Sequence, residues 1–552
     1  MSDLHSHQDR SEDAAQRGAA LLNDIFESAN TATSDTHRAG PDPQWIKVID
    51  HRRCIGCHAC TTACKSENEV PLGVNRTYVK HVEKGAFPDT RRSFQVTRCN
   101  QCEDPPCVAA CPVTAMYQRG DGIVDFDKDA CIGCKACIAA CPYDAIFINP
   151  EDGSAEKCNM CSHRLDVGLE PACVSVCPAE AILVGDLHEP TGKVAQHVGR
   201  DDVAVRRPEK DTKPKLYYLG VDQATLDPLA AGTPPGGMHQ WSEQPADLPH
   251  QGGARLPAGW STSNAAAAML TYDVSHQRPW DERVSLYTWT KSISAGMFLM
   301  ALVAIAFGWL DASTPLAQWV APLTAGFFLA VTGALLIWDL AHPLRFFKIF
   351  LRPQWRSWLT RGAFIIGAFG AVLVAWLAAS WLGASGVQRA LAWVGVPLAL
   401  ATAVYTAYLF AQAKARDLWQ SPLLPTHMAV QAVLAGSAAL ALAAVLTGAG
   451  DLLPPMRWIL AASTAAHGLI IASELALPSV TAHARTAERH MTHGAFRRYF
   501  LGGLVGGSVL PLLLCLASGG GVVLAVASLL ALGGLLAYEH AFVQAGQAVP
   551  LA

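Results

Sequence analysis

Residues 131–142 read CIGCKACIAACP. Cys131, Cys134 and Cys137 leave one tight turn together, Cys141 follows four residues later, and Pro142 comes directly after it. Outward in both directions the pattern recurs. Cys54, Cys57, Cys60 and Cys64 have the same C-x2-C-x2-C-x3-C spacing. Cys99, Cys102, Cys107 and Cys111 stretch the middle gap to four residues, and Cys158, Cys161, Cys173 and Cys177 stretch it to eleven. A proline closes three of the quartets, at Pro112, Pro142 and Pro178.

These quartets hold 16 of the 17 cysteines. Cys515 stands alone in an apolar segment and reads as a small buried side chain. Disulfides need an oxidising compartment. The opening stretch, MSDLHSHQDRSEDAAQRGAALLNDIFESAN, has neither an apolar h-region nor a twin arginine, so no export signal is expected. Zinc ribbons use paired C-x2-C knuckles without a third cysteine at the same short spacing. Cubic iron–sulfur clusters take three thiolates from one such loop, and the fourth cysteine of the run ligates the other cluster of a pair. Four [4Fe–4S] clusters are therefore expected, with no degraded three-iron site. The adjacent second and third quartets exchange their last cysteines: Cys99, Cys102, Cys107 with Cys141, and Cys131, Cys134, Cys137 with Cys111. The outer quartets do likewise: Cys54, Cys57, Cys60 with Cys177, and Cys158, Cys161, Cys173 with Cys64. No phosphate-binding glycine loop or nucleophile elbow accompanies them. Clusters in series pass single electrons, so this half reads as a wire.

The whole-chain figures average two unlike halves: 552 residues, 51% hydrophobic, 16% charged, mean hydropathy +0.22. Such a length implies two to four domains. The net charge is −4 and no basic block stands out, which leaves nucleic-acid binding without support. Residues 1–43 read as a polar tail with one short helix around 13–27. Residues 44–225 carry the cysteines, and 226–283, rich in Pro, Gly and Gln, read as an extended linker wrapped on a surface. Residues 284–552 hold eight apolar runs near 286–310, 317–338, 359–382, 390–412, 426–447, 456–477, 498–517 and 520–540, each about the length that crosses a ~30 Å hydrocarbon layer. The expected fold is an α+β ferredoxin-like four-cluster domain fused to an all-α membrane bundle of eight transmembrane helices.

The stretch CNQCEDPPCVAACPVTAMYQRGDGIVDFDKDACIGCKACIAACPYDAIFINPEDGSAEKCNMC resembles the four-cluster electron-transfer subunit of molybdopterin oxidoreductases, a group that includes dimethyl sulfoxide, polysulfide, thiosulfate and tetrathionate reductases. The likeness runs from about residue 45 to 225. It implies a separate catalytic subunit carrying the molybdopterin cofactor. It also implies that the cluster held mainly by Cys131, Cys134 and Cys137 lies nearest the membrane. The second half, through WDLAHPLRFFKIFLRPQWRSWLTRGA, LWQSPLLPTHMAVQA and ELALPSVTAHARTA, resembles the NrfD or polysulfide-reductase class of quinone-reactive anchors over most of 286–500.

Positive charge sets orientation. The loops 339–358, 413–425 and 478–497 hold Arg345, Lys348, Arg352, Arg356, Lys414, Arg416, Arg485, Arg489 and Arg497, while the intervening loops hold only Arg389, with Arg457 at a helix edge. The basic loops share a side with the N-terminus. The cluster domain is thus expected to face the cytoplasm from the inner membrane. Ionisable groups inside spans are expensive and therefore functional candidates. Lys291, Ser294, Asp339, His342, Tyr408, Gln412, His427, Gln431 and Glu474 all fall at the ends on that side. The bland reading is that they cap, snorkel or bridge helices. The functional reading is a quinone pocket built from Lys291, Asp339, His342, His427 and Glu474, with His467 extending a proton path. A haem would need axial histidines facing each other across spans, and only His467 lies near mid-membrane.

The function expected is electron transfer between a molybdopterin catalytic subunit and membrane quinone. A cytoplasmic face favours the oxidase direction, as in sulfite or formate dehydrogenase, over a reductase drawing on quinol. The rival reading is an iron–sulfur and NrfD-like module of a respiratory supercomplex without a molybdenum partner. Substrate, quinone type and cluster potentials are not written in the sequence.

Overall fold

The computed structural model describes residues 42–85, 88–232, 268–517 and 519–552. The helix expected near 13–27 and most of the expected linker lie outside these residues.

Strand Trp45–Asp50 starts the cysteine-rich half and lies at the centre of a four-stranded sheet. It pairs antiparallel with Ile182–Asp186 and parallel with Leu216–Leu219, from the far end of that half. The start and finish of residues 44–225 are thereby stitched together. A second sheet is built on the hairpin Thr77–Lys84 and Arg91–Arg98. Here the structure departs from the linker expectation. Ala268–Tyr272 pairs antiparallel with Thr77–Lys84, and Ala231–Gly232 adds beside it as the edge, so both described ends of 226–283 contribute strands to this sheet. An uncovered strand leaves backbone groups unpaired, and these short strands supply their partners. Beyond Tyr272 the chain is pinned to the domain. Gln277 bonds both the N–H and the C=O of Ile148, and His276 bridges Asp144 and Asp273.

Each cysteine run turns into a short helix. The helices after the first and third runs, Ala59–Glu67 and Ala136–Ala140, follow the same backbone detour. Gly56 and Gly133 have φ +69°, and His58 and Lys135, two residues later, are also left-handed. This detour is what lets successive thiols of C-x2-C-x2-C face one point.

Among the described residues, eight helices have the length and apolarity to cross a membrane: Glu282–Ala306, Leu316–Trp338, Trp358–Trp381, Ser385–Gln412, Leu424–Thr447, Gly450–Ala476, Arg497–Ala517 and Gly521–Gln547. The eighth extends seven residues past its expected end at 540 and so takes in Gln544 and Gln547. The first span is the hub, packed against the second, fourth, fifth and eighth. Its approach to the fifth is so close that a Cβ on Gly296 would overlap the Ala432 carbonyl oxygen. Small residues commonly permit such contacts in lipid, where packing rather than hydrophobic expulsion holds helices together. Phe327, Trp381, Trp393, Leu446 and Leu469 point outward, as lipid-facing residues do.

Candidate functional site

The thiols fall into four groups. Cys54, Cys57, Cys60 and Cys177 line one cavity, and Cys111, Cys131, Cys134 and Cys137 line another. Asn68 reaches the sulfurs of both Cys64 and Cys161 at 3.7 Å, and Cys64 also lies within the charge fields of Cys158 and Cys173. Cys107 is similarly surrounded by Cys99, Cys102 and Cys141. Each group joins three thiols of one run to the last thiol of another. Among the described residues no three His, Cys, Asp or Glu side chains are placed to hold a single metal ion. The thiols surround a space instead of converging on a point, which suits a polynuclear cluster and not zinc.

Their environment suits it too. Burial pushes the Cys60 and Cys141 thiols up to about 11, and those of Cys64 and Cys102 to about 12. Such thiols ionise only when cationic iron compensates their charge. Cys173 differs: burial raises it, but Lys47 and Arg98 bring it down to about 7. Backbone amides of Gly133 and Ala155 donate to Cys131 Sγ at 3.4 Å, and that of Ala181 to Cys177 Sγ at 3.3 Å.

The loop of Cys131–Cys141 rests on the membrane bundle. The amides of Ala341 and His342 donate to the carbonyls of Gly133 and Ile132 at 3.2 Å, and Arg345 donates to the Cys131 carbonyl at 3.0 Å. Lys135 pairs with Asp339 at 3.0 Å. On the other flank, Ser357 and Thr360 donate to the carbonyls of Ala110 and Pro112 beside Cys111. Trp280 Nε1 donates to the Cys134 carbonyl at 3.4 Å, and its ring stacks on Trp419 with centroids 5.5 Å apart. Lys210 also crosses the junction to Asp417, whose other oxygen accepts from Thr481 at 2.6 Å. Burial raises the Asp417 carboxyl, but Lys210 and Thr481 outweigh it and hold it below the usual range.

Two polar nests lie buried in the bundle behind this junction. In one, Lys291 Nζ donates to the Ala403 carbonyl and to Thr406 Oγ1, both at 2.8 Å, and sits over the Tyr405 ring. Glu539 of the eighth span is near enough for its charge to reach Lys291, and the buried Tyr287 hydroxyl has no partner. In the other, His427 Nε2 meets His467 Nδ1 at 2.8 Å, while His427 Nδ1 lies 3.9 Å from Glu474 and Ser421 donates to Glu474 at 3.0 Å. The Tyr538 ring lies against both imidazoles. His467 Nε2 and Gln431 Oε1 are buried without partners. Imidazoles in direct contact leave no room for a porphyrin between them.

The five residues expected to form one pocket are thus divided. Lys291, His427 and Glu474 lie in the bundle, while Asp339 and His342 belong to the junction, the His342 ring lying beside Gly153. Ser294 ties two helices through the Ala325 carbonyl, Tyr408 stacks on Trp358, Gln412 caps the Trp358 amide, and His540 lies against Tyr499. Sequence reasoning missed Glu539, Tyr538, Tyr287 and Thr406. Glu539 carried a readable signal, an acid inside an apolar run.

Comparison with known proteins fits both halves. A model described as 4Fe-4S dicluster domain matches residues 90–187, and one described as Polysulphide reductase, NrfD, matches residues 272–551. A tetrathionate reductase subunit of Salmonella typhimurium is 41% identical over 222 residues, covering 40% of this chain and 88% of that protein. A polysulfide reductase chain of Wolinella succinogenes is 43% identical over 175 residues, covering 31% of this chain and 92% of its own length. Protein NrfC homolog of Haemophilus influenzae is 39% identical over 205 residues, covering 37% and 90%. The chain belongs to the NrfD polysulphide reductase family through its membrane half, and that half is fused to an iron–sulfur subunit of the tetrathionate and polysulfide reductase type.

Proposed function

We propose that this chain carries electrons between a molybdopterin catalytic subunit and membrane quinone, as both electron-transfer subunit and anchor. The observation that carries this reading is the seating of the Cys131–Cys141 loop on the bundle, with Trp280 bonded to the Cys134 carbonyl and stacked into the helices. Four [4Fe–4S] clusters are assigned to the thiol groups Cys54/57/60/177, Cys64/158/161/173, Cys99/102/107/141 and Cys111/131/134/137. A cluster in each supplies one-electron storage and transfer.

The protein's own residues do the remaining work. Lys291 and Tyr287 are donors for a quinone oxygen in a water-poor site. Glu474, His427 and His467 form a relay whose outer acid is half-exposed and whose inner imidazole nitrogen is free to exchange a proton. Asp339 and His342 hold the cluster loop against the bundle. The domain is assigned to the cytoplasmic side of the inner membrane from the basic loops it touches. The catalytic partner sets the substrate and the direction of flow.

The test is isolation of the complex from membranes in mild detergent, with mass spectrometry of what co-purifies, molybdenum analysis and reduction of the clusters by added quinol. A pterin-binding partner and quinol-reducible clusters support the reading. Multihaem partners without molybdenum move the chain to a supercomplex, and a twin-arginine partner reverses the topology.

A further inference from the structure

Buried cations in the cluster domain are distributed unevenly. Arg76 is neutralised by Glu156 at 3.0 Å and Lys135 by Asp339 at 3.0 Å. Lys157 spends its donors on the carbonyls of Val124 and Cys158. Arg98 and Lys47 are different. They are 1% and 2% exposed, and they lie on neighbouring sheets that converge on one sulfur. Arg98 Nη1 donates to Cys173 Sγ at 3.0 Å, shorter than the backbone amide contacts made to any other cysteine sulfur. Lys47 Nζ lies 3.9 Å from the same sulfur. Arg98 Nε and Nη2 have no hydrogen-bond partner. The charges that face Arg98 are those of Cys173, Cys158 and Cys60, with no carboxylate among them.

A buried cation without an anion is strongly unfavourable. Among the described residues, the anions that face Arg98 are the cysteine thiolates, and with them the cluster they would hold. Four thiolates leave a cube with net negative charge, and reduction adds one more. Two fixed cations against one ligand sulfur therefore favour the reduced cube over the oxidised one. Neither cation releases a proton in the process: the electron arrives from a neighbouring cluster, which is oxidised as this one is reduced.

We propose that Arg98 and Lys47 hold the cluster of Cys64, Cys158, Cys161 and Cys173 at a higher reduction potential than its neighbours. An electron then rests on this cluster, and the neighbouring clusters exchange with it. The proposal rests on Cys173 being a ligand of that cluster.

The experiment is a redox titration of the purified complex followed by EPR, with iron counted per chain. In Arg98→Gln one cluster becomes harder to reduce, with about a tenfold lower reduced fraction at fixed ambient potential, the effect of one charge-assisted hydrogen bond. Arg98→Lys restores part of the shift, Lys47→Met gives a smaller shift of the same signal, and the other clusters do not move. Unchanged potentials in Arg98→Gln and Lys47→Met at full iron content overturn the proposal, as does an equal shift of every cluster. If Arg98→Gln loses iron, Lys47→Met decides alone, because its contact to the sulfur, at 3.9 Å, is the longer of the two. Cys173→Ser separates the underlying reading: unchanged iron and unchanged signals mean that Cys173 is not a ligand, whatever the arginine does.

Discussion

Lys291 places an amine on the most enclosed span, and its partners are a carbonyl, a hydroxyl and an aromatic face, with Glu539 nearby. A helix-capping lysine would reach for water instead. Lys291→Met is expected to slow quinol-dependent reduction of the clusters about tenfold or more, the worth of one charged hydrogen bond. Iron content should be unchanged, and stopped-flow bleaching of the clusters reads the rate. Loss of iron would mean that the lysine is only structural. His276, on the strap leading to the first span, has a different role. Burial lowers its proton affinity, but Asp144 and Asp273 outweigh this and raise it to about 10, from 6.5. Its ion pairs thus stabilise the docked strap fully below pH 6.5, and that contribution is lost as pH rises toward 10. Hydrogen exchange at 273–281 should quicken over this window in the native protein. In His276→Gln it should start faster and change less with pH.

At the scale of elements, the cysteine loops and the spans were legible because both are local. Ligand spacing is set within one turn, and a span is a run of apolar residues of fixed length. The strand Ala268–Tyr272 was not legible. Five residues of mixed character declare a strand only when the edge of Thr77–Lys84 is there to pair with. The end of the eighth span was misplaced because Gln544 and Gln547 look like a helix exit until their buried partners are known. Gly133 links two elements. Its φ is +69°, and a Cβ there would overlap the Ala341 Cβ. Gly133→Ala strains the turn by about 1–2 kcal/mol and pushes the cluster loop off the bundle. Clusters should still assemble, while electron transfer between them and quinol slows. Normal transfer in this variant would show that the seating of this loop does not limit the rate.

In the whole molecule, the cluster domain and the loops 339–357 and 413–421 lie on one side of the bundle, joined by Lys135–Asp339 and by Lys210–Asp417–Thr481. If this side is cytoplasmic, Asp311→Cys on the opposite side should react with a membrane-impermeant thiol reagent in whole cells. His493→Cys, on the domain side, should react only after lysis. The reverse pattern would place the domain outside the cytoplasm.

The sequence by itself determined the cofactor chemistry, the number of spans and the separation into two halves, because each is encoded by spacing or run length within a few tens of residues. Tertiary structure alone decided that Asp339 and His342 serve the junction, that His427 faces His467 and Lys291 has Glu539 as its neighbour, and that Arg98 and Lys47 meet at Cys173. Those partners lie between 40 and 248 positions apart in the chain. No local period records such a meeting. Only the packing of helices and sheets brings the residues within reach of one another.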